Sequence, residues 1–568
     1  MRILSIQNDL DAGCALIEGD KIIEVLNEER FSRVKLHEGF PHLSLKYIFK
    51  KYKLRADNIE KVVYGWYGNN IDNSIFSKKL LKRSLNAINN NSDCQQLLID
   101  RLEIEINRDS KVREKFEKEI IKLGFTKDKI VYLDHHTSHA WSAFATSPFK
   151  ESFIFTFDGR GDFKSSACFY FSKNKGMQEI DYQLTVDSIG YLYSQITEYL
   201  GFRAFRHEGK VTGLAAYGDS KKTSKIFEEL ITFKQGNFIS NLGIYKPFTT
   251  ISKELKNKLN SHTKEDIAAG LQLHCEKLVS SYIKYWIKKS GKKLTNICLA
   301  GGVAANVKIN QVVAEIKGVE NVFVFPHMGD GGIPLGAAAA FNYHKHRIAK
   351  LKFNSAQLGI EYSDKEILKY AKKYSKTLII EKPKRYEESV CNDLIDSKVI
   401  GWFQDKMEYG PRALGGRSIL FHAQDKTCND WLNKRMNRTE FMPFGPVTPI
   451  DFAKECYIGF KENDLCTPYM TKTFNCKKSF IKDHPAVVHI DNTSRPQVVT
   501  KARNGLYYKV LKLYCNKTGY KALINTSFNA HEEPIVFSPD DAIKGLLTNM
   551  VDILYIGSYK IYKKGKRK

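Results

Sequence analysis

Apolar positions in the first 35 residues fall into short runs separated by polar turns: "ILSIQ", then "NDLDAG", then "CALIEG", a turn at Gly19 and Asp20, and "KIIEVLNEE". Runs of this length bounded by turn residues predict a strand, a tight loop and a hairpin. A second β-rich block begins at "SFIFTFDGRGD" and returns as "SACFYFS". Further on, "NICLAGGVAANVKINQVVAEI" and "VFVFPHMGDGGIPLGAAAAF" each pass from β-branched or aromatic residues through a glycine-rich turn into a small-residue helix. Between residues 343 and 390 the pattern weakens and the chain turns Lys/Tyr-rich, which places an inter-domain connection there. A second α/β region starts at "KVIGWFQDKMEYGPRALGGRSIL" and continues to "YIGSYKIYKK". There is no repeat of solenoid period and no low-complexity tract longer than the basic tail.

A chain of 568 residues exceeds what one hydrophobic core supports, so two major domains are expected. No apolar run approaches the roughly 18 residues that a membrane span needs, and "MRILSIQNDLDAG" turns polar too soon for a secretory signal. A cytoplasmic protein is the expectation. Eleven scattered cysteines without a CxxC spacing read as reduced thiols packed in cores. The net charge of +26 leaves nucleic acid, an anionic membrane surface, phosphate-bearing substrates and plain solvated lysine all open. Its only dense clusters are "KKLLKR" and the terminal "KKGKRK", and no basic stripe alternates with aromatics in an RNA-binding manner.

Candidate chemistry begins at "LDHHTSHAWSAF", residues 133–144, where His135 and His139 stand four apart. On a helix both imidazoles project from one face, as a metal clamp or as a satisfied structural pair. Asp158 in "FTFDGRGD" and Asp330 in "HMGDGGIPLG" tip the reading to the clamp, because two imidazoles and two carboxylates suit Fe(II), Mn or Zn. The turns "AGGVAAN" and "GDGGIPLG" offer free N–H groups at helix starts, as an anion site or simply for tight strand–helix packing. With "EGKVTGLAAYG" and its Lys210 they form the pattern of an actin-like nucleotide domain. The carboxy-terminal region has its own cationic set: Arg412 and Arg417 in "YGPRALGGRS", Lys434, Arg435 and Arg438 in "NKRMNRTEFMPFGP", and Arg495 in "DNTSRPQ". "INTSFN" adds Asn525, Thr526, Ser527 and Asn529, and arginine forks with hydroxyls read as phosphate ligands.

The stretches "EERFSRVK", "HHTSHAWSAF", "FDGRGD", "GKVTGLAAYG", "GGVAANVKIN", "GDGGIPLGAA", "YGPRALGGRSIL", "RPQVV" and "NTSFNAHEEPIV" occur in this order from residue 28 to residue 536. Together they resemble the NodU/cephem-type O-carbamoyltransferases. The resemblance implies an α/β protein with an actin-like (ASKHA) amino-terminal domain of duplicated ribonuclease-H-like units over 1–345. A connection over 346–385 and a YrdC-like α/β domain over 386–568 would follow. It implies that the second domain makes carbamoyl-AMP from carbamoyl phosphate and ATP with Mg(2+), using Arg412, Arg417, Lys434, Arg438, Arg495, Asn525 and Ser527. The first domain would then pass the carbamoyl group to a hydroxyl of a small-molecule acceptor such as a sugar. His135, His139, Asp158 and Asp330 would hold Fe(2+) or another divalent transition metal. Lys210, Gly301, Gly302, Asn306 and Asp330 would hold the nucleotide, and Asp11, Lys35, His135 and His139 would be catalytic. Family members are often homodimers.

Four positions depart from the pattern. Leu10 stands where a histidine usually precedes Asp11, and Met436 and Met442 stand where a lysine and an arginine are usual, with Lys434 or Arg435 in reach. Gly209 replaces a bulkier residue. A tRNA-modifying threonylcarbamoyl transferase would use both domain types, but "YGPRALGGRS" and "RPQVV" belong to the small-molecule family and no RNA-binding module is present. An idle nucleotide-binding regulator is the third reading, and intact metal ligands argue against it. The polar insert at 84–113 reads as a lid or as a solvated helical excursion.

Overall fold

Strand β1 (Arg2–Gln7) is buried along almost its whole length, as a strand covered on both faces must be. It pairs antiparallel with β2 (Gly13–Glu18) and parallel with β4 (Ile59–Tyr64). With β3 (Lys21–Asn27) and β5 (Ile130–Tyr132) the sheet runs β3-β2-β1-β4-β5. The computed structural model describes residues 2–66, 79, 81–83, 85, 92–247, 251–293, 295–438 and 441–565.

A second five-stranded sheet uses β6 (Ser152–Gly161), β7 (Lys164–Ser172) and β8 (Gly176–Leu184). After a separate hairpin, β9 (Ile231–Lys234) with β10 (Asn237–Ser240), it is completed by β11 (Thr295–Ala300) and β12 (Val319–Val324). The order β8-β7-β6-β11-β12 repeats the scheme of the first sheet. Three consecutive strands lie on one side, and two parallel strands follow on the far side of the first of them. The repeat is one of topology, and it places β1 and β6 at matching central positions.

The third sheet has eight strands: β13 (Leu378–Glu381), β14 (Ile400–Phe403), β15 (Arg417–His422), β16 (Gly445–Pro449), β19 (Gln497–Val499), β20 (Leu523–Ser527), β21 (Ile553–Ile556) and β22 (Tyr559–Lys563). A two-stranded ribbon, β17 (Phe474–Asn475) with β18 (Thr493–Ser494), stands apart from it. Alternate residues of the central strands enter two different cores. Trp402, Leu420 and Tyr555 face one, with the helices Tyr386–Ile395 and Lys501–Thr518, while Phe403, Ile419, Phe421 and Leu554 face the other.

The chain forms two units: Met1–Ile22 with Glu38–Lys352, and Ile23–His37 with Phe353–Lys568. This differs from a contiguous division at 345 and 386 in two ways. Residues 353–385 are part of the second unit, because the helix Asp364–Lys372, started by a Ser363–Glu366 capping box, buries Ile367 and Ala371, and β13 joins the large sheet. Residues 23–37 also belong to that unit although they follow the opening hairpin. Of the insert at 84–113, residues 84 and 86–91 lie outside the described residues, and the helix Ser92–Lys122 takes up the remainder. Of "KKLLKR", Lys78 and Leu80 lie outside them, while Lys79 and Arg83 pair with Asp181 and Asp187. Residues 566–568 of the basic tail are likewise outside. All eleven cysteines are buried, as core thiols are. Among the described residues no helix is long and apolar enough to cross a membrane.

Candidate functional site

In the first unit the helix His135–Thr146 begins where Asp134 caps it, its Oδ1 accepting from the Thr137 N–H at 2.7 Å. The helical repeat then sets His135 and His139 on one face, opposite Asp158 of β6 and Asp330 in the turn before the helix Ile333–His346. His139 Nε2 is 2.9 Å from Asp158 Oδ2 and 3.4 Å from Asp330 Oδ1; His135 Nε2 is 3.5 and 3.4 Å from the same two oxygens. One ligand atom from each residue lies within 4.8 Å of the others. Both imidazoles are fully buried, and Nε2 of His135 has no hydrogen-bond partner. An orphaned ring nitrogen facing two carboxylates fits a cation with nitrogen and oxygen ligands.

The charges agree with that fit. Burial alone would depress His135, but Asp330 and Asp158 hold it well above its ordinary value. Burial opposes ionisation of Asp158, yet the facing imidazoles of His135 and His139 keep its carboxyl well below the usual range. His136 sits against Thr156 Oγ1 at 2.8 Å and is driven down to about 3 by burial and by His135. It is therefore a neutral core histidine.

The glycine turns meet this centre. Gly301 has φ +91°, and a Cβ there would lie 2.2 Å from the Phe157 carbonyl oxygen, so only glycine lets the turn close on β6. Gly302 stands with room for a Cβ only 3.1 Å from Asp158 Oδ1. Lys210 is buried in the helix Glu208–Leu214. Asn306 caps the helix Val307–Ala314 and donates to Gln272 Oε1 at 2.7 Å and Thr212 Oγ1 at 3.2 Å, so its amide serves the protein itself. Asp11, in the β1–β2 turn with φ +58°, lies 3.4 Å from His327 Nε2. A Cβ on Gly331 would strike that ring at 2.1 Å, so Asp11, His327 and the Asp330 turn converge. His327, three residues before Asp330, was not singled out by the sequence motifs.

In the second unit the loop after Gly410 is held from every side. Glu408 Oε1 accepts from the N–H groups of Leu414 at 2.7 Å, Gly416 at 3.2 Å and Arg417 at 3.2 Å. Trp402 Nε1 donates to Gly415 O, Gln497 Nε2 to Leu414 O and Asn525 Nδ2 to Ala413 O, at 2.9, 2.9 and 3.0 Å. Arg417 is fully buried, with Nη1 and Nη2 on the carbonyls of Gln404, Asp405, Gly416 and Ile360. Arg438 grips the end of β20 through Thr526 Oγ1, Ser527 Oγ and Asn529 Oδ1. Arg435 pairs with Asp552 at 2.7 Å, Lys434 is exposed, and Met436 is a core residue.

Arg412 and Arg495 differ from these. Both are half-buried, and among the described residues neither side chain makes a hydrogen bond or ion pair. Burial pushes Arg412 down to about 10, and burial with the charge of Arg412 pushes Arg495 well below its ordinary value. Two adjacent guanidiniums without a carboxylate form a site that an anion stabilises. Glu408, which builds the loop, carries no motif of its own; its only signal is a buried acid just before a run of tightly turned N–H donors.

Residues 2–339 match the family model "Carbamoyltransferase N-terminus" and residues 391–563 match "Carbamoyltransferase C-terminus". The chain belongs to the carbamoyltransferase family. The enzyme is 32% identical to the protein MJ1051 of Methanocaldococcus jannaschii, over 99% of each chain. It is 30% identical to the nodulation protein NolNO of Sinorhizobium fredii, over 98% of this chain and 79% of that one. The nodulation protein NolO of Bradyrhizobium diazoefficiens is 31% identical over 76% of this chain and 79% of its own. The solved HypF of T. kodakarensis aligns over 61% of this carbamoyltransferase and 48% of that chain, at 12% identity and TM-score 0.34, too slight a likeness to carry an argument.

Proposed function

We propose that this carbamoyltransferase first makes carbamoyl-AMP from carbamoyl phosphate and ATP, and then transfers the carbamoyl group to a hydroxyl of a small-molecule acceptor such as a sugar. The observation that carries this reading is the pairing of two unlike sites: unpaired guanidiniums of Arg412 and Arg495 in one unit, and the His135, His139, Asp158, Asp330 cluster in the other. The first unit's duplicated sheets support an actin-like (ASKHA) assignment with ribonuclease-H-like halves, and the second is read as the YrdC-like domain.

In the second unit water splits carbamoyl phosphate into phosphate and carbamate, and a carbamate oxygen attacks the α-phosphorus of ATP, expelling pyrophosphate. Arg412 and Arg495 hold the phosphate oxygens, and Arg438 fixes the strand end that carries Ser527. In the first unit the acceptor hydroxyl attacks the carbamoyl carbon and AMP departs. Asp11, backed by His327, takes up the hydroxyl proton in place of the histidine absent at Leu10. His135, His139, Asp158 and Asp330 would hold a divalent transition metal, read as Fe(II), which would supply Lewis acidity when bound. Lys210 and the Gly301–Gly302 turn orient the adenylate phosphate.

The test follows pyrophosphate and carbamoyl-AMP by mass spectrometry from ATP and carbamoyl phosphate without acceptor. Adenylate formation is expected to survive His139→Ala and to be lost in Arg412→Ala. No adenylate from carbamoyl phosphate, but one from threonine and bicarbonate, would move the protein to tRNA modification.

A further inference from the structure

The helix Ser92–Lys122, which follows the insert ahead of the histidines, is anchored at its two ends in different halves of the first unit. Near its start Cys94 and Leu98 are buried in one cluster with Phe163, Leu184 and Val186, on the side of the second sheet. Near its end Phe116 stacks on Tyr64 of β4 with ring centroids 4.3 Å apart. Glu117 Oε1 there accepts from the Tyr132 hydroxyl of β5 at 2.7 Å. Roughly 27 Å of helix separates Leu98 from Phe116, and in that interval Ile99, Ile106 and Arg108 are exposed. Arg108 Nη2 donates to Asp9 Oδ2 at 3.1 Å. Asp9 is buried, and among the described residues it has no other ion-pair partner. It lies two residues before Asp11 in the same turn, where Asp11 holds left-handed backbone, φ +58°, facing His327.

We propose that the helix Ser92–Lys122 straps the two halves of the first unit together and that Arg108 is a positioning residue of carbamoyl transfer, fixing through Asp9 the turn that presents Asp11. Arg108 is half-exposed, and a pair of that kind contributes little to stability, so its effect is geometric. Without Arg108 a buried carboxylate is left without its cation and turns towards water. The left-handed turn moves with it, because aspartate keeps such backbone only where its surroundings hold it. A shift of about 1 Å at a reacting group is enough to cost up to about a hundredfold in rate. The role in transfer rests on the transfer reading given above; the strap itself does not.

Full-length, cobalt(II)-loaded variants would be compared by hydrogen–deuterium exchange over residues 2–18 and by AMP release from added carbamoyl-AMP with glycerol as hydroxyl donor. Arg108→Gln and Asp9→Asn are each expected to speed exchange in the turn roughly two- to fivefold, and the double variant no further. Phe116→Ala, which frees one anchor, should do the same. In Arg108→Gln kcat for AMP release is expected to fall about tenfold or more with KM for carbamoyl-AMP unchanged. Arg108→Lys and the swapped pair Asp9→Arg with Arg108→Asp should each recover part of it. Pyrophosphate release from ATP and carbamoyl phosphate should match wild type in the Arg108 and Asp9 variants. Wild-type exchange in Arg108→Gln overturns the hold on the turn, and wild-type exchange in Phe116→Ala overturns the strap. Faster exchange with wild-type kcat overturns the positioning role. A wild-type enzyme that releases no AMP overturns the transfer reading and the role of Arg108 in it, while the exchange data still decide the strap.

Discussion

Glu408 spends one carboxylate oxygen on three backbone N–H groups of the arginine loop, inside a region where an unmet donor costs about 1–3 kcal/mol. Glu408→Ala is expected to lower stability by about 2–4 kcal/mol and to depress pyrophosphate release beyond that, because Arg412 rides on the loop. Glu408→Gln keeps an acceptor oxygen and should lose less of both; thermal melts beside the release assay decide, and equal losses in the two variants would count against the loop argument. The same loop shows where sequence reading reaches its limit. "YGPRALGGRS" announces a tightly specified backbone, but not that Arg417 and Asn525 turn their nitrogens to carbonyls while Arg412 does not. The four candidate metal ligands were legible because each sits in a local pattern: four apart on a helix, at a strand end, in a glycine turn. His327 and Glu408 were not, since their meaning comes from neighbours that folding brings in.

Two helices set the spacing of the candidate metal centre. The helix Ile333–His346 follows Asp330 directly, and the helix His135–Thr146 carries both histidines. They touch at Gly336, where a Cβ would lie 1.8 Å from the Ser138 carbonyl oxygen and 2.8 Å from the Ser142 nitrogen. Backbone cannot give way as a side chain can, so Gly336→Ala must part the helices. The expected cost is about 1–3 kcal/mol, with cobalt(II) retention after dialysis falling as Asp330 draws away from His139. A variant with a wild-type melt and full metal content would show that the contact does not set the site. At the helix start, Asp134 faces Lys164 at 3.1 Å, and although burial opposes its ionisation, Lys164 and the cap hydrogen bonds draw it down to about 2. A carboxylate lowered on folding adds stability above its unfolded value near 4, and that stability is lost as pH falls from about 4 to about 2. Asp134→Asn keeps the cap but should flatten this part of the stability–pH curve, as read by urea melts across that range.

At the scale of the whole molecule the chain leaves the first unit at Ile23 and returns at Glu38, so the second unit is assembled from stretches more than 300 residues apart. Local pattern cannot reveal this, because the hydrophobic run of β3 reads as one hairpin strand whichever unit its two halves join. The weak Lys/Tyr-rich stretch before residue 390 misleads in the opposite sense, since its sparse apolar positions suffice for one capped helix and one strand. A cut between Lys352 and Phe353 therefore does not free an intact second unit. The fragment 353–568 lacks Arg30, Arg33 and Lys35, and with them three hydrogen bonds to the carbonyls of Gly410, Pro534 and Ile535. At about 1 kcal/mol net for each, the loss is enough to loosen the loops that carry Arg412 and Asn529. Pyrophosphate release by that fragment is expected at least about tenfold below the intact chain. Fusing residues 23–37 ahead of Phe353 through a flexible glycine–serine linker makes their return intramolecular and should recover much of the rate. If the bare fragment already matches the intact enzyme, the excursion is packing alone, and its arginines do not serve the anion site.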